Sequence, residues 1–108
     1  MAFNNELKLI GNVVKEPYAS DNFARIRVAA NTRRGEKEET LFIDIKLFGN
    51  VYKDFLYHNI QKGDKIISYG RLVTEEYTDK NENQRKEVVV YADSLFLVAR
   101  KKRSENSF

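Results

Sequence analysis

Phe42, Asp44, Lys46 and Phe48 alternate with Leu41, Ile43, Ile45 and Leu47 along the run Thr40–Gly49. A β-strand sends successive side chains to opposite faces, so this run predicts one aliphatic face and one mixed face. The mixed face holds two phenylalanines around a carboxylate and an ammonium. Plain solvent has no use for two such rings, and a core penalises unpaired charge. Flat π-surfaces beside a cation can stack bases and hold phosphates. The competing expectation is a strand buried on both faces, with the rings in a core or a subunit interface.

Other residues extend this candidate chemistry. Tyr77, in Glu75-Glu76-Tyr77-Thr78-Asp79, reads either as a third stacking platform or as a loop anchor. Arg25 and Arg27 alternate opposite the apolar residues Ile26, Val28 and Ala30. Arg33-Arg34 and Arg85-Lys86 are adjacent pairs, and Lys46, Lys62 and Arg71 stand singly. Glu36, Glu38, Glu39, Glu75 and Glu76 would repel a phosphate backbone unless turned away. Asp79-Lys80-Asn81-Glu82-Asn83 opens like a calcium loop but has Gln84 where the turn glycine belongs and Val90 where the twelfth-position glutamate belongs. His58 is the only histidine, which leaves little for a metal site or proton relay. No nucleophile elbow, P-loop or dinucleotide fingerprint is present, so nothing argues for an enzyme, a cofactor or a metal.

The 108 residues fit one domain with a modest core. No apolar run reaches membrane-spanning length and no signal-peptide pattern opens the chain. The absence of cysteine excludes disulfides and thiolate-held metals and points to an intracellular compartment. Four of the nineteen cations and one of the sixteen anions lie beyond residue 99, so residues 1–99 balance at zero. A nucleic-acid site on such a body would need its charges segregated onto one face.

The elements that must position these residues are five strands and a helix. The strands are read at Leu7–Val14, Phe23–Asn31, Thr40–Phe48, Lys65–Thr74 and Arg85–Leu97, the last broken near Asp93-Ser94. Pro17 to Asn22 reads as a turn, Arg33–Glu39 as a charged loop, and Thr78–Gln84 as a polar loop. Asn50–Ile60 changes to helical period, with Val51, Phe55 and Leu56 on one side, Asn50 as N-cap and Gly63 past the end. In the fourth strand, Ile66, Ser68, Gly70 and Leu72 should face inward, and Gly70 suggests a barrel corner. This order predicts an all-β OB-fold, a five-stranded Greek-key barrel with one helix between strands three and four. Residues 1–99 form the domain, and 100–108 a short basic tail.

With these pieces in place the chain resembles the bacterial and phage single-stranded DNA-binding proteins, from about Leu7 to Leu97. The carriers are Leu9-Ile10-Gly11-Asn12, Leu47-Phe48-Gly49, Lys62-Gly63-Asp64, Tyr69-Gly70-Arg71-Leu72, Tyr77-Thr78-Asp79 and Glu87-Val88-Val89-Val90. The resemblance implies sequence-independent binding of single-stranded DNA in replication, recombination or repair. It places stacking aromatics at Phe42, Phe48 and Tyr77, with Arg25, Arg27, Arg34, Lys46, Lys62, Arg71, Arg85 and Lys86 in support. Asp44, Val73, Glu75 and Glu76 stand where the family has basic residues, and no aromatic stands near Arg34. The family's long acidic-tipped tail is replaced by Arg-Lys-Lys-Arg-Ser-Glu-Asn-Ser-Phe, which is expected to add electrostatic affinity. The family implies homotetramers, and the similar short relative primosomal replication protein N implies dimers; tetramer, dimer and monomer all stay open. So do two other functions, an adaptor in a replication or primosome complex and an RNA-binding OB module.

Overall fold

The computed structural model describes residues 5–101. In chain order these form β1 (Leu7–Val13), β2 (Tyr18–Ala19), β3 (Phe23–Arg34), β4 (Lys37–Phe48), α1 (Gly49–His58), β5 (Lys65–Thr78) and β6 (Gln84–Ala99). β1 pairs with β5, β5 with β6, and β4 with β3, all antiparallel, while β6 meets β4 in parallel at Val90–Ile45 and Tyr91–Lys46. Asn12–Ala29 and Val13–Val28 close β3 onto β1. The two-residue β2 is a short addition to the β3 edge. The result is the expected OB barrel, closed by five strands, with α1 between the third and fourth of them.

Period-two patterning builds the core. Ala24, Ile26, Val28 and Ala30 of β3 are buried, as are Ile43, Ile45 and Leu47 of β4. Ile66, Val90 and Leu95 complete the barrel interior, and Val51 and Phe55 of α1 plug one end. The inward sets fail at three residues. Leu41 and Leu72 lie where their hairpins run past the closed barrel, and Leu56 lies on the outer side of α1; all three are about half exposed.

The strands are longer than sequence patterning predicts. Arg33–Glu39 is mostly ladder rather than loop, because Gly35 and Glu36 alone make the turn and Arg34 pairs with Lys37. Gly35 takes φ 64°, the value a tight hairpin needs at its first central position. Asn50 is not the N-cap. Phe48 holds that position with extended backbone and no side-chain cap, and Asn59, at φ 53°, ends the helix in place of Gly63.

Gly70 marks the corner as expected. Tyr69 pairs with Ser94 but Gly70 with Ala92, so Asp93 is an extra residue bulged from β6. A Cβ on Gly70 would stand 2.2 Å from the Tyr91 carbonyl oxygen. At the other end of β5, fully buried Asp64 accepts hydrogen bonds from the Gln61 and Lys101 amides at 2.9 and 3.0 Å. Arg100 donates to the His58 carbonyl at 2.6 Å, so the chain leaving β6 is tied to the barrel through Lys101. The rest of the basic tail, Lys102–Phe108, lies outside the described residues.

Candidate nucleic-acid interface

The Gly35–Glu36 turn fixes the register of the β3–β4 hairpin, and the register assembles the face. It sets Phe42 opposite Ala29, Asp44 opposite Arg27, Lys46 opposite Arg25, and Phe48 opposite Phe23. Two strands therefore contribute one continuous surface, aromatic at both ends and charged between. Phe42 and Phe48 are 53% and 44% exposed, so neither ring lies in the core of the chain. Six residues of strand separate them, about 20 Å.

Each ring is held differently. The Arg27 guanidinium lies 6.0 Å from the Phe42 ring centroid. Phe48 stacks on Phe23 at 5.7 Å and 23°, and meets Tyr91 edge-on at 5.4 Å. Tyr18 adds a tilted contact to Phe23 at 5.9 Å. Phe48 thus belongs to a row of four rings, whereas Phe42 has a cation beside it and no ring partner among the described residues.

Between the rings the charges are paired rather than segregated. Asp44 is buried, against the expectation that charge would keep this face open. Burial is tolerated because two arginines saturate the carboxylate. Arg27 Nη1 donates to its Oδ1 at 3.1 Å and Arg25 Nε to its Oδ2 at 2.7 Å. Arg25 Nη2 also donates to both Glu87 oxygens at 3.2 Å. Burial disfavours the Arg25 charge, but the hydrogen bonds and charges of Asp44 and Glu87 outweigh it and hold the pKa above its usual value.

A second cluster adjoins the first. Lys46 Nζ lies 2.8 Å from one Glu75 oxygen and donates to the other at 2.9 Å. The Tyr91 hydroxyl donates to Glu75 at 2.5 Å. Burial pushes the Glu75 pKa up, yet the hydrogen bonds from Lys46 and Tyr91 and the nearby cations leave it lowered overall. The same hydrogen bond, aided by burial, raises the Tyr91 pKa. The acidic residues that would repel phosphate are thus partly consumed inside the site.

Tyr77, 49% exposed near the end of β5, joins the face across an open cleft of about 610 Å³ lined by Arg25, Lys46, Glu75, Glu76 and Glu87. The remaining candidate cations lie at the periphery. Arg34 is 3.2 Å from Glu39 at the exposed hairpin tip. Arg71 lies over the Tyr91 ring at 5.6 Å and 3.4 Å from Asp93. Arg85 donates to Asp79 at 2.8 Å. Lys86 is exposed opposite Glu76. Lys62 is exposed in the α1–β5 loop and does not line that cleft.

The Asp79 loop binds itself. The Asp79 carboxylate accepts from the Asn81 and Asn83 amides, both at 2.9 Å, and from Arg85. Those bonds, led by the one from Arg85, lower its pKa. Among the described residues no group of three histidine, aspartate or glutamate side chains could hold a metal ion. No helix among them is long and apolar enough to cross a membrane.

Sequence reasoning missed Phe23 and Glu87 as parts of this face. Phe23 was legible in principle. A two-residue turn at Gly35–Glu36 makes Phe23 and Phe48 equidistant from it and hence partners, but a seven-residue loop hides that register. Glu87 carries no such signal, because its partner Arg25 is 62 positions away.

The topology and this aromatic strand face define an OB-fold protein whose candidate site spans the outer surface of β3, β4 and the β5–β6 hairpin. Residues 4–98 match the model of the single-strand binding protein family, and the chain belongs to that family. A single-stranded DNA-binding protein of Wolinella succinogenes is 29% identical over 96% of this chain and 70% of its own length. One of Deinococcus radiodurans is 31% identical over 95% of this chain, which spans only 37% of that relative. Among solved structures, a Plasmodium falciparum SSB complex with ssDNA aligns with TM-score 0.75 at 20% identity, covering 91% of this chain and 97% of the other. A small single-stranded DNA-binding protein from Streptomyces coelicolor aligns with TM-score 0.70 at 19% identity, covering 89% and 96%. These two likenesses bear on the fold, which they share with this chain.

Proposed function

We propose that this protein binds single-stranded DNA without sequence preference, as a binding protein rather than an enzyme, and shields exposed strands during replication, recombination or repair. The observation that carries this reading is the pair of solvent-exposed rings, Phe42 and Phe48, at the two ends of one β-strand face with arginines and a lysine between them. Bases stack on Phe42, Phe48 and Tyr77, a mode that tolerates any sequence because every base has a π-face. Arg25, Arg27 and Lys46 lie between the platforms, and Arg34, Lys62, Arg71, Arg85 and Lys86 flank the path. The relatives named for single-stranded DNA binding support the same reading. The working compartment is the cytoplasm, in association with the nucleoid.

The proposed protein partner is a second copy of the chain. Ile10, Ile67 and Phe96 are cross-strand neighbours on β1, β5 and β6, and Ile10 and Phe96 are 41% and 53% exposed. Tyr69 packs edge-on against Phe96 at 6.1 Å and continues this apolar band. β1 pairs with β3 only at Asn12 and Val13, so the edge over Leu7–Gly11 is open beside the band and suits antiparallel addition of a strand. Light scattering on a gel-filtration column reads the assembly directly, and a monomer at micromolar concentration refutes it.

Titration of fluorescent oligo-dT, oligo-U and duplex DNA tests the function. Tight oligo-dT binding that weakens as salt rises is the expected result. Preference for oligo-U would select an RNA-binding module. Failure to bind any of the three would leave an adaptor role, in which the aromatic face contacts protein.

A further inference from the structure

We propose that Glu87 holds the phosphate seat on Arg25, so that a strand must eject a protein carboxylate before this arginine can grip it. The inference rests on reading the β3–β4 face as a single-strand site. Arg25 is held in two ways. Its Nε donates to Asp44 Oδ2 and its Nη2 lies against the same oxygen; Asp44 is 8% exposed and also bonded to Arg27. That shared Nη2 also carries both Glu87 oxygens, at 3.2 Å. That is longer than a tight charge-assisted bond, and the Glu87 side chain is 35% exposed. Among the described residues Arg25 is its only hydrogen-bonding partner. Both Glu87 oxygens share one nitrogen instead of forming the parallel two-nitrogen fork of a strong arginine–anion pair, so the contact is a weak one that an entering phosphate can replace.

The neighbouring carboxylate behaves differently. Glu75 sits directly across the β5–β6 ladder from Glu87. It is 22% exposed and bonded to both Lys46 and Tyr91. Like charges directly opposite each other repel, so Glu75 at rest pushes Glu87 outward. The cleft lined by Arg25, Lys46, Tyr77 and Glu87 is open to solvent and gives the displaced side chain room to swing away. Asp44 and Glu75 are therefore fixed counter-ions, and Glu87 is a removable one. This makes Glu87 a determinant of affinity and salt response, although it touches DNA only by leaving.

The test compares Glu87→Gln with Asp54→Asn, which removes the same charge from an exposed position on α1 outside the face. Both are titrated with fluorescent oligo-dT across a salt series beside the parent. E87Q should bind about two- to fivefold tighter at low salt, the worth of one exposed ion pair. Its plot of log affinity against log salt should steepen by about 0.7, one more phosphate neutralised. D54N should match the parent. Equal gains in the two variants, or no gain in E87Q, would overturn the proposal while leaving single-strand binding intact. Glu87→Ser repeats the test without an amide that could itself bond Arg25. A parent that fails to bind oligo-dT would instead overturn the reading on which the proposal rests.

Discussion

Arg25 reaches diagonally across the β3–β4 ladder to Asp44, its Nε 2.7 Å from Oδ2, although its direct cross-strand partner is Lys46. Asp44 itself faces Arg27, so one buried carboxylate ties together two arginines of the same strand. The pairing explains how the face proposed to bind a polyanion can carry an aspartate at its centre. The aspartate orients the arginines instead of presenting its charge.

Removing that carboxylate should therefore be costly to the fold. Asp44→Ala leaves two guanidinium groups side by side without their shared anion. A fully buried pair would lose about 3–5 kcal/mol. These arginines are about a third exposed, so about 1–3 kcal/mol is expected. Urea unfolding measures it, and a midpoint within error of the parent would contradict the cluster.

Glu75 should impose an acid limb on stability. Its folded pKa is lowered because the bonds from Lys46 and Tyr91 outweigh the opposing effect of burial. A carboxylate of this kind stabilises the fold above its unfolded pKa and loses that contribution as pH falls through its folded value. The parent should exceed Glu75→Gln by about 1 kcal/mol near neutral pH. That gap should close on acidification below the usual glutamate value of 4.5. Thermal melts of both proteins from pH 3 to 7 check the sign, and a gap that widens toward acid would contradict it.

The two platforms should separate stability from binding. Phe42→Ala removes a half-exposed ring with no aromatic partner among the described residues, so oligo-dT binding should fall by about 1–3 kcal/mol with little change in melting temperature. Phe48→Ala should lose comparable binding and also lower the melting temperature, because it breaks the contacts to Phe23 and Tyr91. Anisotropy titrations beside thermal melts read both quantities. Unchanged binding in the double variant would remove these rings from the site.

Gly70→Ala tests the barrel corner. The added methyl would lie 2.2 Å from the Tyr91 carbonyl oxygen and 2.9 Å from the Ala92 Cα, both backbone atoms that cannot rotate aside. Overpacking of this kind costs about 1–3 kcal/mol. A melting temperature lower by at least about 4 °C is expected.

Ser68→Ala should act in the opposite direction. The Ser68 hydroxyl is fully buried on β5 and has no hydrogen-bond partner among the described residues. Deleting an unsatisfied buried hydroxyl relieves a desolvation penalty of about 1 kcal/mol. The urea midpoint should rise, and a fall would show that the hydroxyl is satisfied in solution.

The barrel was legible because its strands alternate strongly. Ile26 with Val28 and Ile43 with Ile45 declare an inner face at period two, and Gly70 declares a corner. The hairpin arms were less legible. Arg33–Glu39 is charged on both faces, so no alternation distinguishes ladder from loop, and Leu41 and Leu72 look inward-facing until the end of the barrel is located. The N-cap was misplaced because Asn50 has the favoured side chain, whereas the helix starts from Phe48 without a side-chain cap.

By itself the sequence determined the kind of surface: two phenylalanines and a lysine on one strand face, and two arginines outside the apolar face of the preceding strand. Local patterning suffices there, because strand geometry alone sorts neighbours onto faces. Only the tertiary structure decided which charge answers which. Asp44 belongs to Arg25 and Arg27, Glu75 to Lys46 and Tyr91, and Glu87, among the described residues, to Arg25. Those partners meet through the register of β3 on β4 and the return of the β5–β6 hairpin, and register depends on a turn geometry and a bulge that composition does not report. Whether a cation on this face is free for phosphate is a property of its neighbours in space, which the order of residues along the chain leaves unspecified.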